Sequence, residues 1–164
     1  MTSSSQRDDS ISLQPQRPGD EPFLLEVYAS TREDELDRTG WDAATRSAFV
    51  KMQFNAMQQG YATMFPRGQF SIILLHNRPI GRLVVDRADH EIRVVDIALL
   101  PSYRGQGIGT FLLQQLLLEA SHAEKPVRLH VLKTSRAARH YLRLGFLKVG
   151  AEGPYDQMQW RLPR

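Results

Sequence analysis

Between Phe70 and Leu100 three β-rich runs follow one another with almost nothing between them. FSIILL (Phe70–Leu75) leads through the turn Asn77-Arg-Pro79 into IGRLVVD (Ile80–Asp86), and the Arg87–His90 connection leads into EIRVVDIALL (Glu91–Leu100). A crossover to a parallel neighbour takes about a dozen residues or more, so runs joined this closely predict an antiparallel meander. Pro101 ends the third run, and glycines then fall at 105, 107 and 109. An apolar helix opens near Ile108, with Leu112, Leu113, Leu116, Leu117 and Ala120 on one face.

The flanks complete the pattern. Ile11-Ser-Leu-Gln14 alternates as a short first strand would. Asp20 is placed to cap a helix through Phe23, Leu24, Val27 and Tyr28, and Asp42 to cap a second from about Ala43 to Tyr61. After the glycine loop and its helix, Val127–Leu132 (VRLHVL) reads as a strand, Ser135–Leu144 as a short helix, and Gly145 as its stop. Phe146–Val149 and Asp156–Leu162 read as closing strands. The predicted order is β-α-α-β-β-β-α-β-α-β-β: a mixed α/β class, with a mostly antiparallel sheet and flanking helices. Residues 1–9 are Ser, Thr, Gln and charge, and are expected to be a disordered tail, leaving 10–164 as a single domain. A chain of 164 residues suits one domain.

Composition narrows the chemistry. There is no cysteine, which removes disulfides, thiolate zinc sites, iron–sulfur clusters and a cysteine nucleophile together. The net charge of +3 is too mild to call for nucleic acid. No apolar run approaches the ~20 residues of a membrane helix, and the N-terminus has no signal-like apolar stretch. A cytoplasmic protein without a membrane partner is expected. His90-Glu91 opens an H-E-x-x-H pattern but position 94 is Val, so no metal site is expected.

The stretch Leu99-Leu-Pro-Ser-Tyr-Arg-Gly-Gln-Gly-Ile-Gly109 carries the chemistry. Glycines let backbone N–H groups face a ligand without a Cβ in the way. A helix start adds free N–H groups and the positive end of its dipole, and Arg104 adds a bidentate cation. This is a phosphate or pyrophosphate site. A Walker loop would need a lysine before Thr110, and a dinucleotide fingerprint begun at Gly105 would need glycine where Thr110 stands. The pattern that fits is Arg/Gln-x-x-Gly-x-Gly/Ala, met by Arg104, Gly107 and Gly109.

That segment resembles the coenzyme A loop of the GNAT (GCN5-related) N-acetyltransferases. The later block Ser135-Arg-Ala-Ala-Arg-His-Tyr-Leu-Arg-Leu-Gly-Phe146 is similar to the family's N-x-x-A-x-x-x-Y-x-x-x-G-F. The resemblance covers about Ile11 to Leu162, most closely Glu91 to Phe146. It implies acetyl transfer from acetyl-CoA to an amine by direct attack in a ternary complex, without a metal. The alternative on the same fold is a catalytically inactive acyl-CoA-binding or interaction module. The resemblance assigns pyrophosphate to Arg104, Gly105, Gln106, Gly107, Ile108, Gly109 and Thr110. It puts a strand bulge at Ile97 to Leu100, with backbone contacts to pantetheine from Leu99 and Leu100 and an oxyanion donor at Leu99 or its neighbour. Tyr141 falls at the general-acid position. Ser135 stands where relatives often carry Asn.

The base is less legible. Asp96 is an acid inside an apolar run, a setting that raises a carboxyl pKa; its bland alternative is a structural hydrogen bond to a neighbouring loop. His130 is a second candidate. The acceptor is expected to be an amine of a small molecule or a peptide, flanked by the first helices and the last hairpin. Trp41, Phe54, Tyr61, Met64, Tyr155 and Trp160 are available to line its pocket or to serve as core. Glu33, Asp34 and Glu35 either attract a cationic amine or form a solvated helix face. Nothing in the residues decides for or against a homodimer.

Overall fold

The computed structural model describes residues 10–163. The expected tail and Arg164 lie outside them. The elements are β1 (Ile11–Pro15), α1 (Glu21–Thr31), α2 (Glu33–Asp37), α3 (Ala43–Met64), β2 (Gln69–Leu75), β3 (Arg78–Arg87), β4 (Ile92–Leu99), α4 (Ile108–Ala123), β5 (Val127–Leu132), α5 (Ala137–Arg143), β6 (Leu147–Glu152) and β7 (Tyr155–Trp160). The strands form one sheet in the order β1-β2-β3-β4-β5-β7-β6. Every neighbouring pair is antiparallel except β4 and β5. Among the described residues no helix is long and apolar enough to cross a membrane.

The sheet is covered on both faces, because alternate residues of each strand point to opposite sides. Ile73, Leu83, Val85, Ile92 and Val94 pack with Ile108, Leu112, Leu113, Leu116 and Ala120 of α4. Ile72 and Leu74 turn the other way, onto Leu24 of α1 and Phe54 of α3. The Asp42 carboxylate accepts the Thr45 N–H at 2.8 Å and so starts α3 as expected. Asp20 stands at the start of α1, but its carboxylate accepts the Arg17 N–H instead.

Three details differ from the sequence reading. A separate turn of helix, α2, follows α1; buried Leu36 anchors it while Glu33, Asp34 and Glu35 stay exposed. The β2–β3 turn sits one residue earlier than Asn77-Arg-Pro79. His76 and Asn77 both take left-handed φ, +49° and +63°, the two-residue hairpin geometry that matches strand twist. The third difference is the bulge. Val85 pairs with Val94 but Val84 pairs with Asp96, so Val95 is the extra residue rather than one of Ile97 to Leu100. A bulge increases local twist, and the twist is needed where β4 leaves β5. That point is here: β4 and β5 pair only at Ile92–Val127, Arg93–Arg128 and Val94–Leu129. Beyond Val94, β4 stays with β3 while β5 continues alongside β7 to Leu132–Tyr155. The two central strands therefore open into a V.

Candidate active site

The glycine loop closes one end of the V. Gly105 and Gly107 have φ of +72° and +84°, a left-handed backbone that only glycine adopts at little cost. A Cβ built on Gly105, Gly107 or Gly109 would meet no atom within 4 Å, so the loop surface lies open. The first bond of α4 runs from the Phe111 N–H to the Gly107 carbonyl at 2.9 Å. The N–H groups of Ile108, Gly109 and Thr110 precede it at the helix start. Arg104 folds back along the strand: its Nε donates to the Leu99 carbonyl at 2.9 Å and its Nη2 to Ser30 Oγ at 3.1 Å. Gln106 donates to the Ser102 carbonyl at 2.7 Å and keeps the turn compact. The Thr110 hydroxyl is bonded to His140 Nε2 at 2.9 Å, so any share of Thr110 in binding phosphate falls to its backbone.

Leu99 and Leu100 separate. The Leu100 N–H donates to the Ile80 carbonyl at 2.9 Å, so it is spent on β3. Backbone groups alternate in direction along a strand, so those of Leu99 face the V. The Leu100 carbonyl also accepts the Tyr103 N–H at 3.0 Å, so of the two residues expected to offer backbone contacts Leu99 is the one whose N–H faces the cleft.

On the α1/α3 side of the sheet, a cavity of about 590 Å³ opens between α1, α3 and the parting strands. Its apolar wall includes Leu24, Val27, Ala56, Met57 and Leu132, and its polar wall includes Tyr28, Arg32, Gln53, Tyr61, Arg82 and Asp96. Asp96 is not hydrogen-bonded to a neighbouring loop. Its side chain is 23% exposed, and Oδ2 lies 3.7 Å from Arg82 Nε. Burial dominates and raises its pKa above the ordinary carboxylate range; the Arg82 charge and the Ile97 N–H offset only part of that rise. Burial also raises Tyr61, with the Asp96 charge adding to it.

Tyr141 lies on α5, packed edge-on to Phe146 with ring centroids 5.8 Å apart. Burial raises its phenol pKa, and the Asp96 charge raises it further. Ser135 Oγ accepts the Ala137 N–H at 3.1 Å and so is engaged at the start of α5. His130 does not join the site: it is exposed and does not line the cavity. Burial, then the Arg93 charge, lowers its pKa.

Of the aromatic candidates, Tyr61 and Tyr155 line the cavity. Phe54 is core, Trp160 packs at the edge of the larger core, Trp41 pairs with Phe49 at 5.1 Å, and Met64 is exposed. Arg82, Tyr28, Arg32 and Gln53 escaped the sequence reading. A lone arginine inside IGRLVVD was the signal available for the first of them.

A family model described as the acetyltransferase (GNAT) domain matches residues 66–148, half of the chain. The chain belongs to the GNAT acetyltransferase family. Solved structures share this acetyltransferase's fold. The PaiA N-acetyltransferase of Thermoplasma acidophilum, in complex with coenzyme A, has a TM-score of 0.69 at 16% identity, covering 93% of this chain and 99% of that one. An acetyltransferase of Thermus thermophilus has 0.65 at 19%, covering 93% and 97%. A GNAT family acetyltransferase of Elizabethkingia anophelis, with acetyl-CoA bound, has 0.59 at 18%, covering 94% and 99%. As a GNAT enzyme this acetyltransferase depends on acetyl-CoA, and the open glycine surface at the α4 start fits a diphosphate. Among the described residues no cluster of three His, Asp or Glu could hold a metal ion.

Proposed function

We propose that this acetyltransferase acetylates a small amine held in the 590 Å³ cavity, by direct attack within a ternary complex. A cavity of that size falls in the range of about 300–1,000 Å³ found for small-molecule sites. The observation that carries the reading is that the Asp96 carboxylate lines this cavity together with Tyr28, Tyr61 and Arg82, at the point where β4 parts from β5.

Acetyl-CoA supplies an acetyl group activated as a thioester. The backbone N–H groups of Gly105, Gln106, Gly107, Ile108, Gly109 and Thr110 hold its diphosphate at the α4 start, and Arg104, engaged through Nε and Nη2 with Leu99 and Ser30, adds its positive charge from the strand side. The Leu99 N–H faces the thioester end of the pantetheine and donates to the acetyl carbonyl oxygen as charge develops there. Asp96 accepts the proton that the acceptor's ammonium must lose before its nitrogen can attack. Tyr141, protonated beforehand, gives its proton to the departing thiolate and is reprotonated by the second proton that the attacking nitrogen loses as the amide forms. Ser135 secures the start of α5, which carries Tyr141.

The test is thiol release from acetyl-CoA with a panel of monoamines, polyamines, amino acids and short peptides. Release with small amines, lost in Asp96→Asn and Tyr141→Phe, supports the proposal. Release with peptides alone moves the acceptor class to a polypeptide. Coenzyme A binding without turnover across the panel supports the inactive module.

A further inference from the structure

The inner face of β3 carries a cation that the transfer steps above do not use. Arg82 is 2% exposed. Its guanidinium carbon lies 5.4 Å from the centre of the Tyr61 ring and 6.0 Å from that of Phe70, and cation–π contact with both rings holds it in place. Its Nε and Nη2 have no hydrogen-bond partner. A guanidinium does not lose its proton in proteins, so in this setting it needs an anion. Among the described residues its one ion pair is with Asp96, and the 3.7 Å separation is too long for a hydrogen bond. The pair therefore adds positive charge beside the carboxylate without consuming one of its lone pairs.

The other titratable groups around Asp96 do not do this. Tyr61 on α3, Tyr141 on α5, Tyr28 on α1 and Tyr155 on β7 are phenols and bring no positive charge. Arg32 on α1 lines the same cavity but is engaged with the Glu35 carboxylate at 2.8 Å and the Tyr28 hydroxyl at 3.1 Å.

We infer that Arg82 is a positioning residue for acetyl transfer, a fixed buried cation that favours the charged form of the Asp96 carboxylate beside it. The inference rests on the proton-accepting role of Asp96 given above. In that step an N–H bond of the acceptor's ammonium breaks, its electron pair stays on nitrogen, and the proton goes to an Asp96 oxygen. Asp96 then returns it to water at the cavity mouth. A carboxyl already protonated cannot take part.

Two measurements on the full chain test it. The first is titration of the Asp96 carboxyl by NMR with labelled aspartate, assigned through Asp96→Asn. Arg82→Met should raise the Asp96 midpoint by about one pH unit or more, and Arg82→Lys, which keeps the charge but loses the ring stacking, by much less. The second is kcat/KM against pH for the most active amine of the panel. Arg82→Met should shift the acid limb upward by the same amount as the midpoint, losing about tenfold on the acid side of that limb for a one-unit shift and recovering as pH rises past it, with Arg82→Lys close to the parent. If Arg82→Met does not fold, Arg82→Gln removes the same charge. An unmoved Asp96 midpoint, or a rate loss equal at every pH and equal in the Lys and Met variants, overturns the inference and makes Arg82 a packing residue. An acid limb that survives Asp96→Asn overturns the Asp96 role itself, and the inference with it.

Discussion

The Thr110 hydroxyl and His140 Nε2 are 2.9 Å apart, and this hydrogen bond ties the first turn of α4 to the helix that carries Tyr141. The residues are 30 apart in sequence, and each belongs to a segment that could tilt independently. Thr110→Val should cost about 0.5–1.5 kcal/mol of stability, the usual worth of one net hydrogen bond. It should lower kcat while leaving the thermal stabilisation by coenzyme A unchanged, because the Thr110 backbone N–H stays in place. A loss of coenzyme A binding in this variant would return the hydroxyl to the diphosphate site.

Tyr141→Phe separates binding from chemistry. Removing a general acid typically costs about 10²–10⁴ in rate. The variant should lose kcat on that scale with the same melting shift on adding coenzyme A. Burial raises the phenol pKa, with the Asp96 charge adding to it, so Tyr141 stays protonated throughout the ordinary phenol range. The parent should therefore show no alkaline loss from this group below about pH 10. An alkaline limb well below that value, abolished by Tyr141→Phe, would contradict the assignment.

Gly107→Trp tests the diphosphate seat. Gly107 has φ of +84° and open space where a Cβ would stand. The substitution strains the backbone by about 1–2 kcal/mol and sets an indole over the α4 start. The protein should fold, with a lowered melting temperature, and should no longer be stabilised by coenzyme A. The parent should gain about 2.7 kcal/mol at a ligand concentration 100 times Kd, which a melting curve reads directly.

Gly81→Ala tests the edge of the V from β3. An added Cβ would stand 2.3 Å from the Ala98 carbonyl oxygen and 2.8 Å from Leu99 Cδ2. The first obstruction is backbone, so β3 and β4 must move apart, at a cost of about 1–3 kcal/mol. The urea midpoint should fall, and kcat should fall with it because Leu99 shifts. An unchanged midpoint would show that the two strands are less closely fitted than these distances indicate.

Legibility followed the range of each interaction. The glycines at 105, 107 and 109 announced their loop because their role is local: a left-handed backbone and an opening helix are properties of a few adjacent residues. The meander from Phe70 to Leu100 was legible for the same reason, since short connections leave antiparallel pairing as the near choice. Tyr141 stood out through its fixed distance from Gly145 and Phe146. Asp96 stood out as an acid in an apolar run, but its partner did not. Arg82 lies 14 positions earlier in a strand where a polar residue normally faces water, and only α1 and α3 folding over that face turn it inward. That the Leu100 amide is spent on Ile80 was not legible, because amide direction depends on pairing register, which Val95 shifts by one.

Taken alone, the sequence determined the order of the elements, the glycine surface at the α4 start and the family, because these rest on local backbone preference and on spacing along the chain. Tertiary structure decided which amides face the cleft, where the central strands part, and that a buried guanidinium sits beside the Asp96 carboxylate. Burial and charge act through space between residues far apart in the chain, and no spacing rule encodes the distances on which they depend.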